Sequence, residues 1–271
     1  MNYSEKLKDV LNEINDPVSQ RLLELEGSEQ DIDNVDISTK EGYISFNRDG
    51  REARTRIKAG RFVSTVANEE FTPREIEVFF NQFKSIGEYH QIKDRFELGS
   101  GDDFEYCYTR ENYAEQTGSL RGSCMTNVGA ERLRLYMKNP KKIKILMLKD
   151  EDGGVLGRAI VWRNSFVREG ESAEDRNNSE TFKVNVMDRV YTTKDYLVHL
   201  FERYASEQGW YVKSGYNMEF KRPDGEQVKC RVKCNLKDYE YGNYPYLDTM
   251  RSISKKGTIS NKRWKGEVRF Y

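Results

Sequence analysis

The feature that most constrains the fold is the order of helix and strand signals between residues 131 and 213. Apolar, β-rich segments there alternate with helical patterns, and an acidic, glycine-containing turn at 151–154 joins two of the strands as a hairpin. The order of segments is a helix over 131–139, strands over 143–148 and 155–162, a strand over 185–191, a helix after Thr192, and a strand over 210–213. This alternation predicts an α+β protein with a mixed or antiparallel central sheet and flanking helices.

Capping signals predict two helices nearer the start of the chain. Ser4 precedes apolar residues at helical spacing, and Pro17 interrupts the pattern, so an amphipathic helix is expected between them. Thr72, followed by Pro73 and Glu75, has the pattern of a capping box with proline in the first turn.

Two segments after residue 165 have contrasting patterns. Residues 228–236 alternate apolar and mostly basic side chains, which indicates a half-buried strand with a basic outer face. Cys230 and Cys234 share its apolar face, where core packing is favoured over a zinc site, and no metal is predicted. Residues 170–179 are polar and featureless, and we expect a mobile loop.

Charge is balanced overall but segregated along the chain. There are 45 basic and 45 acidic residues, yet residues 1–36 contain ten acids and three bases. Basic residues concentrate in 48–61 and again in 250–271. These shifts divide the chain into an acidic helical segment (1–36), an α+β part (37–130), a core (131–213) and a basic β-rich part (214–271).

Composition bears on location. The longest apolar runs are far shorter than the roughly 18 residues that a membrane span needs. The first residues lack the apolar core of a signal peptide, and the four cysteines are expected to be reduced thiols. A cytoplasmic protein with no membrane partner is therefore expected.

The order of elements over 131–213 resembles the central part of the GNAT acyltransferase fold. In that family a glycine-rich loop between a strand and a helix grips the pyrophosphate of acyl-CoA. The corresponding residues here, 189–196, contain no glycine and include Asp195. The resemblance implies a GNAT-like core, and leaves an acyltransferase with a degenerate acetyl-CoA loop as an alternative function.

Five short motifs also resemble a family of bacteriophage-encoded proteins. They are Lys58-Ala59-Gly60-Arg61, Thr117-Gly118-Ser119-Leu120 with Ser123-Cys124-Met125, Gly157-Arg158-Ala159-Ile160-Val161-Trp162, Met187-Asp188-Arg189-Val190-Tyr191 and Tyr244-Pro245-Tyr246-Leu247-Asp248-Thr249. This resemblance implies a viral origin and a place in the host cytosol. The sequence contains no familiar catalytic motif, and its segregated charges and tyrosine-rich segment offer partner surfaces, so a viral accessory protein that binds and modulates a host macromolecule, such as a host defence protein or a host enzyme, is the favoured function.

Charged and aromatic residues meet on neighbouring strands of the predicted core. The candidate ligand pocket consists of Arg158, Trp162, Asp188, Arg189 and Tyr191. A buried acid and arginine beside aromatic rings can hold a fixed charge for a ligand. The alternative interpretation is a structural ion pair between the aspartate and one of the arginines.

Candidates for catalysis are few. Cys124 follows Gly122 and Ser123 and could act as a nucleophile, and Tyr191 could assist proton transfer. The two histidines are His90 and His199, and sequence spacing does not place either beside the cysteine. The alternative for Cys124 is a small buried side chain.

The end of the chain offers a partner surface. Tyrosines and basic residues are frequent there, and the candidate contact residues are Tyr241, Tyr244, Tyr246, Lys255, Lys256 and Arg263. Tyrosine supplies rigid contact area with a polar tip, which suits a host-protein interface. The basic stretches 48–61 and 251–269 leave nucleic-acid binding as a further alternative. The oligomeric state stays open.

Overall fold

The computed structural model describes most of the chain. The described residues are 1–29, 31–38, 40, 42–48, 53–67, 70–126, 130–170, 172–215, 218–239, 250–262 and 268–269. They form two compact units, Met1–Asp94 and Arg95–Tyr271.

The first unit packs helices on a small antiparallel sheet of strand order β1-β2-β3. Its elements are α1 (Glu5–Ile14), α2 (Pro17–Glu24), β1 (Ile32–Ile37), β2 (Tyr43–Arg48), β3 (Arg54–Lys58), α3 (Ala59–Val66) and α4 (Pro73–Ile92). The side chain of Ser4 caps α1 through the amide of Leu7, and Thr72 and Glu75 form a capping box on α4. Both predicted helix starts are therefore confirmed.

The second unit contains the remaining elements. They are β4 (Phe96–Gly99), α5 (Asp103–Tyr108), α6 (Gly118–Arg121), α7 (Ala130–Met137), β5 (Ile143–Lys149), β6 (Val155–Glu169), α8 (Ala173–Asn178), β7 (Phe182–Thr192), α9 (Leu197–Glu207), β8 (Tyr211–Lys213), β9 (Glu219–Lys221), β10 (Gln227–Asn235), β11 (Ser252–Ile253), β12 (Thr258–Ser260) and β13 (Val268–Arg269). Two short 3-10 helices, Lys93–Arg95 and Arg110–Asn112, lie in the connections along the chain.

The strands of the second unit form one sheet that closes on itself in part. The strand order is β4-β5-β6-β7-β8-β9-β10-β12-β11-β13, and β10 pairs in addition with β6. Strands β6 to β10 thus make a closed ring of five. The parallel pair β7–β8 is connected through α9, and the other pairs are antiparallel.

A bulge in β6 allows the two halves of this strand to pair with different strands. Its register with β7 shifts between Trp162 and Ser165, where Asn164 has a φ of 50°. Bulges bend a strand and increase its twist. The first half of β6 accordingly pairs with β5, whereas Phe166–Glu169 pair with β10.

Helices cover both faces of the sheet near β6. Tyr108 of α5 stacks over Arg158, while Phe201 of α9 packs against the neighbouring Gly157. Successive residues of a strand point to opposite faces, so α5 and α9 lie on opposite sides. Arg158 consequently points into a covered, largely apolar face.

These elements confirm the predicted α+β class with a mixed sheet, and the predicted hairpin and the strand–helix–strand segment after it. The likeness to the GNAT fold stays a prediction, as does the division into segments 1–36, 37–130, 131–213 and 214–271.

One local prediction was wrong. The segment 170–179 contains α8, because Ser172 and Asp175 form a capping box. On β10 the basic face is not all exposed: Arg231 is 6% exposed, and its Nη1 donates to Asn177 of α8 (3.0 Å). Cys230 and Cys234, by contrast, lie in the core as predicted. No helix in the described ranges is long and apolar enough to cross a membrane.

Candidate functional site: a cavity around Arg158

The candidate site is a small cavity on the α5 side of the sheet. It is lined by Tyr108, Ser123, Met125, Tyr136, Arg158, Ile160, Asp188, Arg189 and Tyr191. Arg158 on β6 and Tyr191 on β7 are direct cross-strand partners, so their side chains leave the sheet side by side. The β6–β7 register therefore builds the centre of the site.

The guanidinium of Arg158 is held by two aromatic rings. Its Cζ lies 3.6 Å from the ring centroid of Tyr108 and 5.0 Å from that of Tyr191. Arginine stacks readily on aromatic faces, and this leaves its N–H edge for planar recognition of an acid. The residue as a whole is only 2% exposed.

Few of the Arg158 donors are used. Nη2 donates to Ser123 Oγ (3.0 Å), whereas the buried Nε has no hydrogen-bond partner within the described ranges. The described residues also place no carboxylate within ion-pair distance of this guanidinium. Arg158 is therefore a buried positive charge compensated mainly by aromatic rings and one hydroxyl.

Ser123 reaches the cavity because α6 docks on the end of β7. Ser119 Oγ accepts from the amide of Thr192 (3.0 Å), and the hydroxyl of Thr117 donates to the carbonyl of Thr193 (2.9 Å). Gly118 has a φ of 65°, and a Cβ there would lie 2.4 Å from the carbonyl oxygen of Thr192. Glycine is what permits this close approach.

Asp188 is the acidic residue of the cavity wall. It is 3% exposed, and its Oδ2 accepts from Trp162 Nε1 (2.9 Å) while its Oδ1 accepts from the amide of Arg189 (2.8 Å). The Trp162 ring packs edge-on against Tyr136, with centroids 6.3 Å apart. Trp162 thus positions the Asp188 carboxylate through this hydrogen bond and does not itself line the cavity.

Lys213 on β8 adds a positive charge near Asp188. Burial lowers the pKa of Lys213 to about 8; the charges of Asp188 and Glu219 oppose this shift, and those of Arg251 and Arg189 add to it. Burial likewise raises the pKa of the nearby Cys107 thiol to about 12, although the charge of Arg158 acts in the opposite direction.

The cavity is small. Its volume is about 20 Å³, which is room for roughly one water molecule. It can therefore receive a single functional group, and the remainder of a larger ligand would have to lie outside.

The cavity is lined by four residues of the predicted pocket, namely Arg158, Asp188, Arg189 and Tyr191. The fifth, Trp162, donates a hydrogen bond to Asp188. The alternative of an ion pair does not hold for Arg158, since no carboxylate of the described chain is within pairing distance.

Sequence reasoning missed several of the lining residues. Ser123 was not singled out although it precedes the candidate Cys124, and this adjacency was a usable signal. Tyr108 and Tyr136 come from α5 and α7, and no local pattern marks them.

Cys124 lies at the surface beside the cavity. It is an exposed free thiol, and the described lining includes its neighbours Ser123 and Met125 but not Cys124 itself. His199 is exposed near Glu202, and His90 lies 3.2 Å from Glu13 within the first unit. A catalytic role of Cys124 or Tyr191 stays a prediction. Among the described side chains, no three His, Cys, Asp or Glu residues group as metal ligands.

The predicted partner surface is described only in part. Lys255 and Lys256 are exposed in the turn before β12. The other candidate contacts, Tyr241, Tyr244, Tyr246 and Arg263, lie outside the described residues. Binding of a host protein or of nucleic acid through this surface stays a prediction.

The strand–helix junction bears on acetyl-CoA. The amide of Thr192 donates to Ser119, that of Thr193 to the carbonyl of Leu156, and those of Leu197 and Val198 back into the junction. These amides are therefore engaged within the protein rather than directed outward as a pyrophosphate grip requires. Acetyl-CoA as a cofactor stays a prediction.

Comparison of the chain with protein-family models, with curated proteins and with solved structures gave no match.

Proposed function

We propose that this protein binds a small acidic ligand whose carboxylate group is received by Arg158. The observation that carries the proposal is the buried guanidinium with unused donors and no carboxylate partner among the described residues. The function is thus ligand binding at the cavity on β6 and β7.

The energetics favour an anion at this place. Burying an ion without a partner costs several kcal/mol after relaxation. A desolvated cation–π contact returns about 2 kcal/mol or somewhat more, and one hydrogen bond from a charged donor about 1.5–3 kcal/mol. An acidic group on the free N–H edge would add charge-assisted hydrogen bonds that the isolated protein does not make.

The surroundings restrict the ligand. The cavity of about 20 Å³ has room for about one water-sized group, such as a carboxylate oxygen, and Asp188 in the same wall disfavours a second negative charge beside it. The exposed Arg189 lies at the wall, where it can contact the part of the ligand that stays outside. A monoanionic small molecule fits these conditions best.

The test is thermal unfolding with sodium acetate against sodium chloride at equal ionic strength. A ligand at 100 times its dissociation constant adds about 2.7 kcal/mol to the stability of the folded state. We expect such stabilisation of the wild-type protein and its loss in Arg158→Met. Arg74→Met, on the exposed face of α4, is the matched control and should respond like the wild type.

Arg158→Met also separates a binding role from a structural one. Replacing a buried, poorly compensated charge by an apolar side chain of similar length is often neutral or stabilising by about 1–4 kcal/mol. We therefore expect the unliganded variant to be at least as stable as the wild type. A variant that is destabilised by several kcal/mol and keeps its response to acetate would refute the proposal.

A further inference from the structure

A second group of cations lies on the outer face of the ring, apart from the Arg158 cavity. Arg168 on β6 and Arg231 on β10 are direct cross-strand partners. Lys233, two residues further along β10, points to the same face. Like charges directly opposite each other destabilise a sheet. We call Arg168, Arg176, Arg231 and Lys233 the arginine patch.

Helix α8 brings the fourth cation and buries part of the patch. Arg176 is 9% exposed and Arg231 is 6% exposed. Burial, and then the charges of Arg176 and Arg168, lower the pKa of Arg231. The three guanidinium groups are therefore close enough to repel one another.

Neutral oxygen atoms orient Arg168. Arg168 donates to the hydroxyl of Thr181 and to the carbonyl of Asn177, and Arg231 donates to the side-chain oxygen of Asn177. In the described part of the chain, no carboxylate lies within pairing distance of Arg168. The next residue along the strand, Glu169, points to the opposite face and accepts from Arg222 Nε (2.9 Å).

Three of the four patch residues line a cavity. The cavity has a volume of about 190 Å³ and is lined by Phe166, Arg168, Thr181, Arg231 and Lys233. Ligand pockets for drug-sized molecules usually measure about 300–1,000 Å³, so this cavity suits one compact group. Three cations and a hydroxyl around such a space match the oxygen atoms of a phosphate.

We propose that the arginine patch is a phosphate-binding site, which holds inorganic phosphate or the phosphate group of a small phosphate ester between β6, β10 and the loop before β7. The bound group would neutralise the repulsion between Arg168 and Arg231. Phe166 at the wall gives the remainder of an ester an apolar surface to lie on.

The test is calorimetric titration of the full chain with inorganic phosphate and with adenosine monophosphate, each against chloride at equal ionic strength. We expect saturable binding of at least one probe and a loss of tenfold or more in affinity for both Arg168→Met and Lys233→Met. Tighter binding of the nucleotide than of inorganic phosphate would identify an ester as the ligand, and the reverse order would identify free phosphate.

Two controls keep this site distinct from the Arg158 cavity. Arg158→Met should leave phosphate binding at the patch unchanged, and Arg74→Met should do the same. Arg168 and Lys233 are only partly buried, so both variants are expected to fold, which circular dichroism checks. The proposal is overturned if neither probe binds saturably, or if binding persists undiminished in both patch variants. Loss of binding in Arg158→Met alone would assign the phosphate to the other cavity.

Discussion

Gly118 offers the sharpest test of how the candidate site is assembled. It starts α6 with a φ of 65°, and a Cβ built on it would lie 2.4 and 2.5 Å from the carbonyl oxygens of Thr192 and Thr193. Gly118→Ala should therefore undock α6 from the end of β7 and remove Ser123 from Arg158. Gly209, at the end of α9, is the matched control: its φ is 70°, and no described atom lies within 4 Å of its would-be Cβ.

In both variants an alanine must adopt a left-handed backbone conformation, but only Gly118→Ala also brings a Cβ atom against backbone atoms. A left-handed conformation costs an L-residue roughly 1–2 kcal/mol, which is the whole expected effect of Gly209→Ala. Overpacking against rigid backbone adds roughly 1–3 kcal/mol. We therefore expect Gly118→Ala to lower the free energy of unfolding by about 2–5 kcal/mol.

Urea unfolding followed by tryptophan fluorescence measures this difference. The three tryptophans, Trp162, Trp210 and Trp264, belong to the second unit, so the signal reports on the unit that contains α6. Equal losses of stability in Gly118→Ala and Gly209→Ala would refute the reasoning, because the contact with the β7 carbonyls would then restrict nothing.

Two further predictions concern protons and thiols. Because the pKa of Lys213 is lowered to about 8 from 10.5, the unfolded chain holds the extra proton between these pH values, and the free energy of unfolding should rise with pH across this window. Lys213→Met should remove that rise, which urea unfolding of both proteins at pH 7.5 and pH 10 measures. An equal rise in the variant and in the wild type would contradict the prediction. With a thiol reagent under native conditions, the exposed Cys124 should react first, while Cys107, Cys230 and Cys234 stay protected until unfolding. Cys124→Ser should abolish the early phase, and its persistence would show that a buried thiol is accessible.

Local chemistry explains which elements could be predicted from the sequence. The starts of α1 and α4 depend on Ser4, Thr72 and Glu75, whose side chains act within one turn of the helix they begin. The same kind of signal was present at Ser172 and Asp175, but the polar composition around them concealed α8. Capping residues were thus better guides than hydrophobicity.

The site was predictable to the extent that it depends on neighbouring strands. Arg158 and Tyr191 meet because a hairpin and the strand after it fix their register. Tyr108 and Ser123 reach the cavity through the packing of α5 and α6 against distant parts of the chain. The positions of these two residues depend on tertiary contacts, which the periodicity of a single sequence does not reveal.

The pairing of β6 with β10 has a consequence for synthesis on the ribosome. Residues Phe166–Glu169 are made well before their partners 230–233, so the second half of β6 emerges as an edge with unsatisfied backbone groups. Arg168 lies on this stretch and the bulge at Asn164 just before it, and a charge and a bend are the features that discourage one nascent chain from joining another. Arg168, which repels Arg231 in the folded protein, would thus protect the incomplete sheet of the nascent chain from aggregation.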